Sequence, residues 1–220
     1  MADYVLVHGG NMTTDTWNRL TTGSPVQTPD GTMGGMIWDP VIPALHAQGH
    51  RTFAPTLTDE NTTTLTGHIG EIEKIITGNN LREVILAGHS YGGMVITGVA
   101  ARLADRIRQM VYVDAAVPDP GQSLFDLIIA SGSDPQSFAG LKLAPPYTEK
   151  LQFDARAILS LQKTYIRCTK SDFASVTDLA RQKIAASGAG WTYLELPSSH
   201  VPMAEMPEKI VRILLDAAKN

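Results

Sequence analysis

The sequence predicts an α/β fold: a mostly parallel sheet of about six strands, with helices on both faces. Three observations point to it. Apolar runs of strand length alternate with stretches of helical periodicity along the 220 residues. Most of these runs are rich in Val, Ile, Leu and Tyr without clean polar alternation, as expected of strands covered on both sides. Glycine turns, His8-Gly9-Gly10 and Gly88-His89-Ser90-Tyr91-Gly92, sit at the ends of two of the runs.

In chain order, the strands are expected at 4–8, 51–55, 83–87, 109–114, 163–169 and 191–196. Asp39-Pro40 reads as an N-cap/N1 pair opening a helix over 40–48, with Gly49 as its stop. Leu65, Ile69, Ile72 and Ile76 mark one face of a helix over about 63–77. Residues 91–104 are apolar nearly all round, so that helix should lie against the sheet under further neighbours. A helix over 175–186 follows, and Pro207-Glu208 opens the last, with Ile210, Ile213, Leu214 and Ala217 turned inward.

The chain is expected to form one domain over 1–220, with two departures from the alternation. Residues 11–33, rich in Thr, Gly, Pro and Asp, are too long for a strand–helix connection and read as an extra loop insertion. Residues 115–160 are punctuated by Pro and Gly but carry Leu124, Phe125, Leu127, Ile128, Ile129, Phe138, Leu141, Leu143, Tyr147 and Phe153. That combination suggests a small cap with an apolar underside.

Composition narrows the function classes. A net charge of −4 offers no basic footprint for nucleic acid. Apolar runs are too short to span a bilayer, and no signal peptide is expected before the first strand. A lone cysteine, Cys168, excludes an internal disulfide and fits a reducing, cytoplasmic location. Neither an HExxH motif nor clustered Cys/His spacing is present, so no metal or other cofactor is expected.

The strongest chemical signal is Gly88-His89-Ser90-Tyr91-Gly92, between a predicted strand and a predicted helix. A nucleophile elbow requires that context: the serine takes a strained turn, and the helix N-terminus faces developing negative charge. A phosphate loop would need Gly-Lys-Ser/Thr, which is absent. A serine needs an oriented base. Of six histidines, His200 alone follows a late strand just before the final helix, whereas His46, His50 and His68 fall in or beside predicted helices. The base in turn needs a carboxylate, and two stand at strand ends, Asp114 and Asp172, with Asp178 more distant. Chain order favours Asp172, leaving Asp114 to brace the cap. Gly10 and Tyr91 are the expected N–H donors of an oxyanion hole. Trp17, Leu124, Phe125 and Ile128 are the expected pocket residues.

Together HGG, GHSYGG, TKSD and SSHVPM resemble the α/β-hydrolase superfamily, with the small esterase/hydroxynitrile-lyase-like branch that includes plant methyl esterases the most similar. The resemblance covers nearly the whole chain and implies a Ser90–His200–Asp172 triad, since Thr169-Lys170-Ser171-Asp172 match that branch's acid-bearing turn. It implies hydrolysis of carboxylic esters of small to medium hydrophobic substrates through an acyl-enzyme. Val201 and Gly9 stand where the lyases carry lysine and threonine, so cyanohydrin cleavage is not expected. The serine elbow likewise departs from epoxide hydrolases and haloalkane dehalogenases, which use aspartate. Two other readings stay open on the same scaffold: a ligand-sensing receptor, and another cofactor-free reaction such as perhydrolysis or C–C cleavage.

Overall fold

Six strands pair side by side, all parallel, in the order β2-β1-β3-β4-β5-β6. They are β1 (Asp3–Val7), β2 (Arg51–Phe53), β3 (Val84–His89), β4 (Ile107–Val113), β5 (Gln162–Cys168) and β6 (Trp191–Leu196). The computed structural model describes residues 1–10, 12–21, 23–138, 141–188 and 190–219. Every residue of β1 and β3 is buried, which explains why residues 4–7 and 84–88 run without polar alternation.

Nine α-helices are described: α1 (Thr14–Leu20), α2 (Ile42–Ala47), α3 (Leu65–Gly78), α4 (Gly92–Arg102), α5 (Leu124–Ala130), α6 (Pro145–Thr148), α7 (Ala174–Ser187), α8 (Pro202–Glu205) and α9 (Pro207–Ala217). They cover both faces of the sheet, dividing the core in two. On one face Leu65, Ile69, Ile72 and Ile76 of α3 and Met94, Val95 and Val99 of α4 pack with Val5, Leu86 and Tyr112. On the other, Ile210, Leu214 and Ala217 of α9 join Leu45, Trp38, Tyr4 and Ile85. Ile213 lies at the margin of this second cluster rather than in its centre.

The helix expected over 40–48 starts later than Asp39-Pro40 implies. A 3₁₀ turn over Gly34–Trp38 takes the preceding residues, and the Asp39 N–H donates to the Met36 carbonyl at 3.0 Å. Asp39 therefore ends one helix instead of capping the next, and Pro43 supplies the early proline of α2.

The segment from 12 to 33 leaves and returns at one place. The Met33 N–H donates to the Met12 carbonyl at 2.8 Å, and Thr13 pairs with Thr32. Between them α1 is capped by the Thr13 hydroxyl. Over 115–160 the chain runs through α5, which opens on a Ser123/Asp126 capping box, two 3₁₀ turns and α6. Gln122 and Leu151 pair at its base.

Candidate active site

Because all strands are parallel, their C-terminal ends share one edge of the sheet, where α/β folds place their sites. Ser90 stands at the end of β3 with φ +54°, in the left-handed region, directly before α4. This turn is tight enough to dictate its glycines. A Cβ on Gly92 would meet the Val7 and His8 carbonyl oxygens at 2.8 Å, and one on Gly9 would meet the Ser90 Cβ at 2.7 Å.

His200 reaches this serine from the loop between β6 and α8. Its Nε2 lies 2.9 Å from Ser90 Oγ, and its Nδ1 lies 2.7 Å from Asp114 Oδ2. With Nδ1–H donating to the carboxylate, Nε2 is free to accept the serine proton. Asp114 is 0% exposed, follows β4, and adopts φ +45°. Its second oxygen, Oδ1, accepts the Cys168 N–H at 2.8 Å, and its own N–H donates to the Ile166 carbonyl at 2.7 Å. The carboxylate is thus clamped between β4 and β5 and aimed at the imidazole.

The expected partner was Asp172, and the geometry corrects that. Backbone bonds hold the turn after β5 against the end of β6: the Thr169 N–H donates to Leu196 O at 2.9 Å and the Lys170 N–H to Ser198 O at 3.0 Å. This fixes the phase of the turn so that Ser171, not Asp172, faces the histidine. Ser171 Oγ is 3.3 Å from His200 Nδ1 and accepts the Phe173 N–H at 3.0 Å. Asp172 is displaced by one residue onto the exposed wall of the cleft. Asp114, the other candidate acid, which was expected to brace the cap, contacts the imidazole. Asp178 is paired with Arg167 at 2.8 Å.

A cleft with a volume of about 140 Å³ opens above Ser90 and His200. Gly10 and Tyr91 both line it, and neither of their N–H groups is taken by a hydrogen bond among the described residues. The Tyr91 side chain turns away: its hydroxyl donates to His68 Nδ1 at 2.9 Å, and His68 Nε2–H donates to the Thr58 carbonyl at 2.8 Å. Burial raises the Tyr91 phenol well above its ordinary value, so it stays neutral.

Of the expected pocket residues, Leu124 lines the cleft. Ile128 is fully buried in the core behind it, and Phe125 packs at the core margin. Trp17 is 4% exposed and joins the second core cluster with Val201 and Met203, so α1 is pinned toward the histidine loop rather than lining the cavity. Phe138 and Leu141, part of the apolar set expected over 115–160, also line the cleft, as do Met12 and Phe173, which the sequence did not single out. Cys168 is buried and its thiol is pushed up by desolvation, so its backbone N–H, not its sulfur, serves the site.

Two further histidines support this edge while remaining neutral. His89 Nε2–H donates to the His200 carbonyl at 2.7 Å, and its ring lies 4.7 Å from the His200 ring. His8 Nδ1–H donates to the Gly9 carbonyl at 2.8 Å, and its Nε2 accepts the Leu57 N–H at 2.9 Å. Desolvation lowers His8 from 6.5 to about 4 and drives His89 well below its ordinary value. For His8 the stability is fully present above about pH 6.5 and is lost as pH falls toward about 4, because the unfolded chain binds the proton first, and the lowered His89 acts in the same direction. His8 alone accounts for about 3 kcal/mol across that window. The urea midpoint should therefore fall steadily between pH 7 and 4.5; a flat midpoint would contradict the burial of these rings.

Known proteins resemble the chain in fold and in part of its sequence. Residues 4–160 match a family model described as "Alpha/beta hydrolase family". The chain is 41% identical over 137 residues to a carbendazim hydrolyzing esterase of Nocardioides sp. (strain SG-4G), covering 58% of this chain and 48% of that protein. It is 28% identical over 140 residues to Methylesterase 8 of Arabidopsis thaliana, covering 59% of this chain and 52% of that one. The chain thus spans about half the length of these curated relatives. Among solved structures, an extracellular alpha/beta-hydrolase from a Paenibacillus species superposes with a TM-score of 0.72 at 20% identity, covering 100% of both chains. The pyrethroid hydrolase PytH, as its H230A variant, gives 0.73 at 19% identity over 99% of this chain and 97% of that one.

Proposed function

Because the chain belongs to the alpha/beta hydrolase family, we propose that it is a serine hydrolase of carboxylic esters, with Ser90 as nucleophile, His200 as base and Asp114 as the orienting acid. One observation carries this reading: the unbroken relay from Ser90 Oγ through both ring nitrogens of His200 to the buried Asp114 carboxylate, at 2.9 and 2.7 Å, at the floor of a cleft.

In this reading Ser90 attacks the ester carbonyl as His200 Nε2 takes its proton. Asp114 holds the Nδ1–H tautomer and stabilises the imidazolium that forms. The N–H groups of Gly10 and Tyr91 receive the oxyanion, the Tyr91 donor standing at the start of α4. His200 then protonates the leaving alcohol, and a water activated by the same nitrogen releases the acid from the acyl-enzyme. The segment 115–160 acts as a small cap, and the apolar wall of Leu124, Phe138 and Leu141 favours small to medium hydrophobic esters. A cytoplasmic location is part of the proposal, supported by the single free thiol. Among the described residues no helix is long and apolar enough to cross a membrane.

A fluorophosphonate probe tests the chemistry, combined with p-nitrophenyl esters of increasing acyl length. Wild type should be labelled at Ser90 and turn over repeatedly, whereas Ser90→Ala should show neither. Labelling followed by a single slow turnover would replace the enzyme reading by a ligand sensor.

A further inference from the structure

Asp172, left without a place on His200, occupies the wall of the same cleft. It is exposed, and among the described residues its carboxylate has no hydrogen bond or ion pair. The neighbouring cation in sequence, Lys170, acts on Glu205 instead. Among the described lining residues, the positive charge that arises in the reaction is the His200 imidazolium, and it is paired with Asp114. His89 and Tyr91 are neutral for the reasons given above, and Met12, Leu124 and Leu141 are apolar. The field of Asp172 therefore falls on whatever occupies the cleft.

The same cavity holds an aromatic pair. The rings of Phe138 and Phe173 meet edge to face at 5.7 Å, and Phe173 continues onto His200 at 5.1 Å. A carboxylate next to aromatic faces attracts an ammonium group through both charge and ring quadrupole, and repels a carboxylate. An aspartate that merely solubilised the surface would not need to line the cavity that also holds these rings and the nucleophile.

We propose that Asp172, together with Phe138 and Phe173, makes this cleft select substrates bearing an ammonium group over neutral isosteres. The inference rests on the ester-hydrolase reading and assigns Asp172 a role in specificity. An isosteric pair isolates the charge: acetylcholine against 3,3-dimethylbutyl acetate. The ratio of their kcat/KM values, taken within each protein, is insensitive to the fraction correctly folded. Asp172→Asn should lower that ratio by about fivefold, the size expected for one solvent-exposed charge pair. Added salt should compress the wild-type preference in the same direction.

A second measurement does not need either ester to be turned over. Tetramethylammonium should slow fluorophosphonate labelling of Ser90 in wild type, and slow it less in Asp172→Asn. Equal ester ratios in the two proteins, or equal protection, would overturn the assignment while leaving ester hydrolysis intact. Absence of Ser90 labelling altogether would instead remove the hydrolase reading on which it stands.

Discussion

Asp114→Asn is expected to lower kcat/KM by about four orders of magnitude, as the same exchange does in serine protease triads. The reason lies in how the carboxylate is held. Oδ1 accepts the Cys168 N–H, so an amide at position 114 would keep its oxygen there and turn its NH₂ toward His200. Nδ1 would then have to accept, placing the proton on Nε2, where it blocks transfer from Ser90. The β4–β5 clamp survives this change, so thermal unfolding should shift far less than turnover. A smaller loss in Asp114→Asn than in Asp172→Asn would return the acid role to Asp172.

That contrast also shows what the amino-acid pattern can and cannot reveal. Ser90 and His200 were legible because each is tied to its own local context. The serine needs glycines that let β3, α4 and the end of β1 crowd together, and the histidine needs a loop between the last strand and the closing helices. The acid was not legible in that way. Asp114 and Asp172 follow adjacent strands, so the chain order that favoured Asp172 was no guide to which carboxylate meets the imidazole. What separates them is a one-residue phase in the turn after β5, set by backbone bonds to Leu196 and Ser198, and the left-handed φ at Asp114. Neither is written in residue types. The pocket wall was obscured for a related reason: periodicity identifies the apolar face of α5, but not that Leu124 reaches the cleft while Ile128 fills the core.

The left-handed φ at Ser90 has its own measurable cost. A non-glycine residue at φ +54° stores strain on the order of 1–3 kcal/mol, held in place by the packing of β3 against α4. Ser90→Gly should relieve it, less about 0.5–1 kcal/mol for the added freedom of the unfolded chain. The net gain, about 1 kcal/mol, corresponds to a rise in Tm of about 2–4 °C for a chain of this size. Turnover should fall by about six orders of magnitude, the scale of losing the nucleophile from a serine hydrolase triad. Ser90→Ala is the necessary partner, because it removes the hydroxyl but keeps the Cβ that makes φ +54° unfavourable. It should lose the same activity and gain less stability. Equal Tm values for the glycine and alanine variants would limit the strain to the about 0.5–1 kcal/mol that glycine costs through the unfolded chain, and a lower Tm for the glycine variant would show that the elbow stores none.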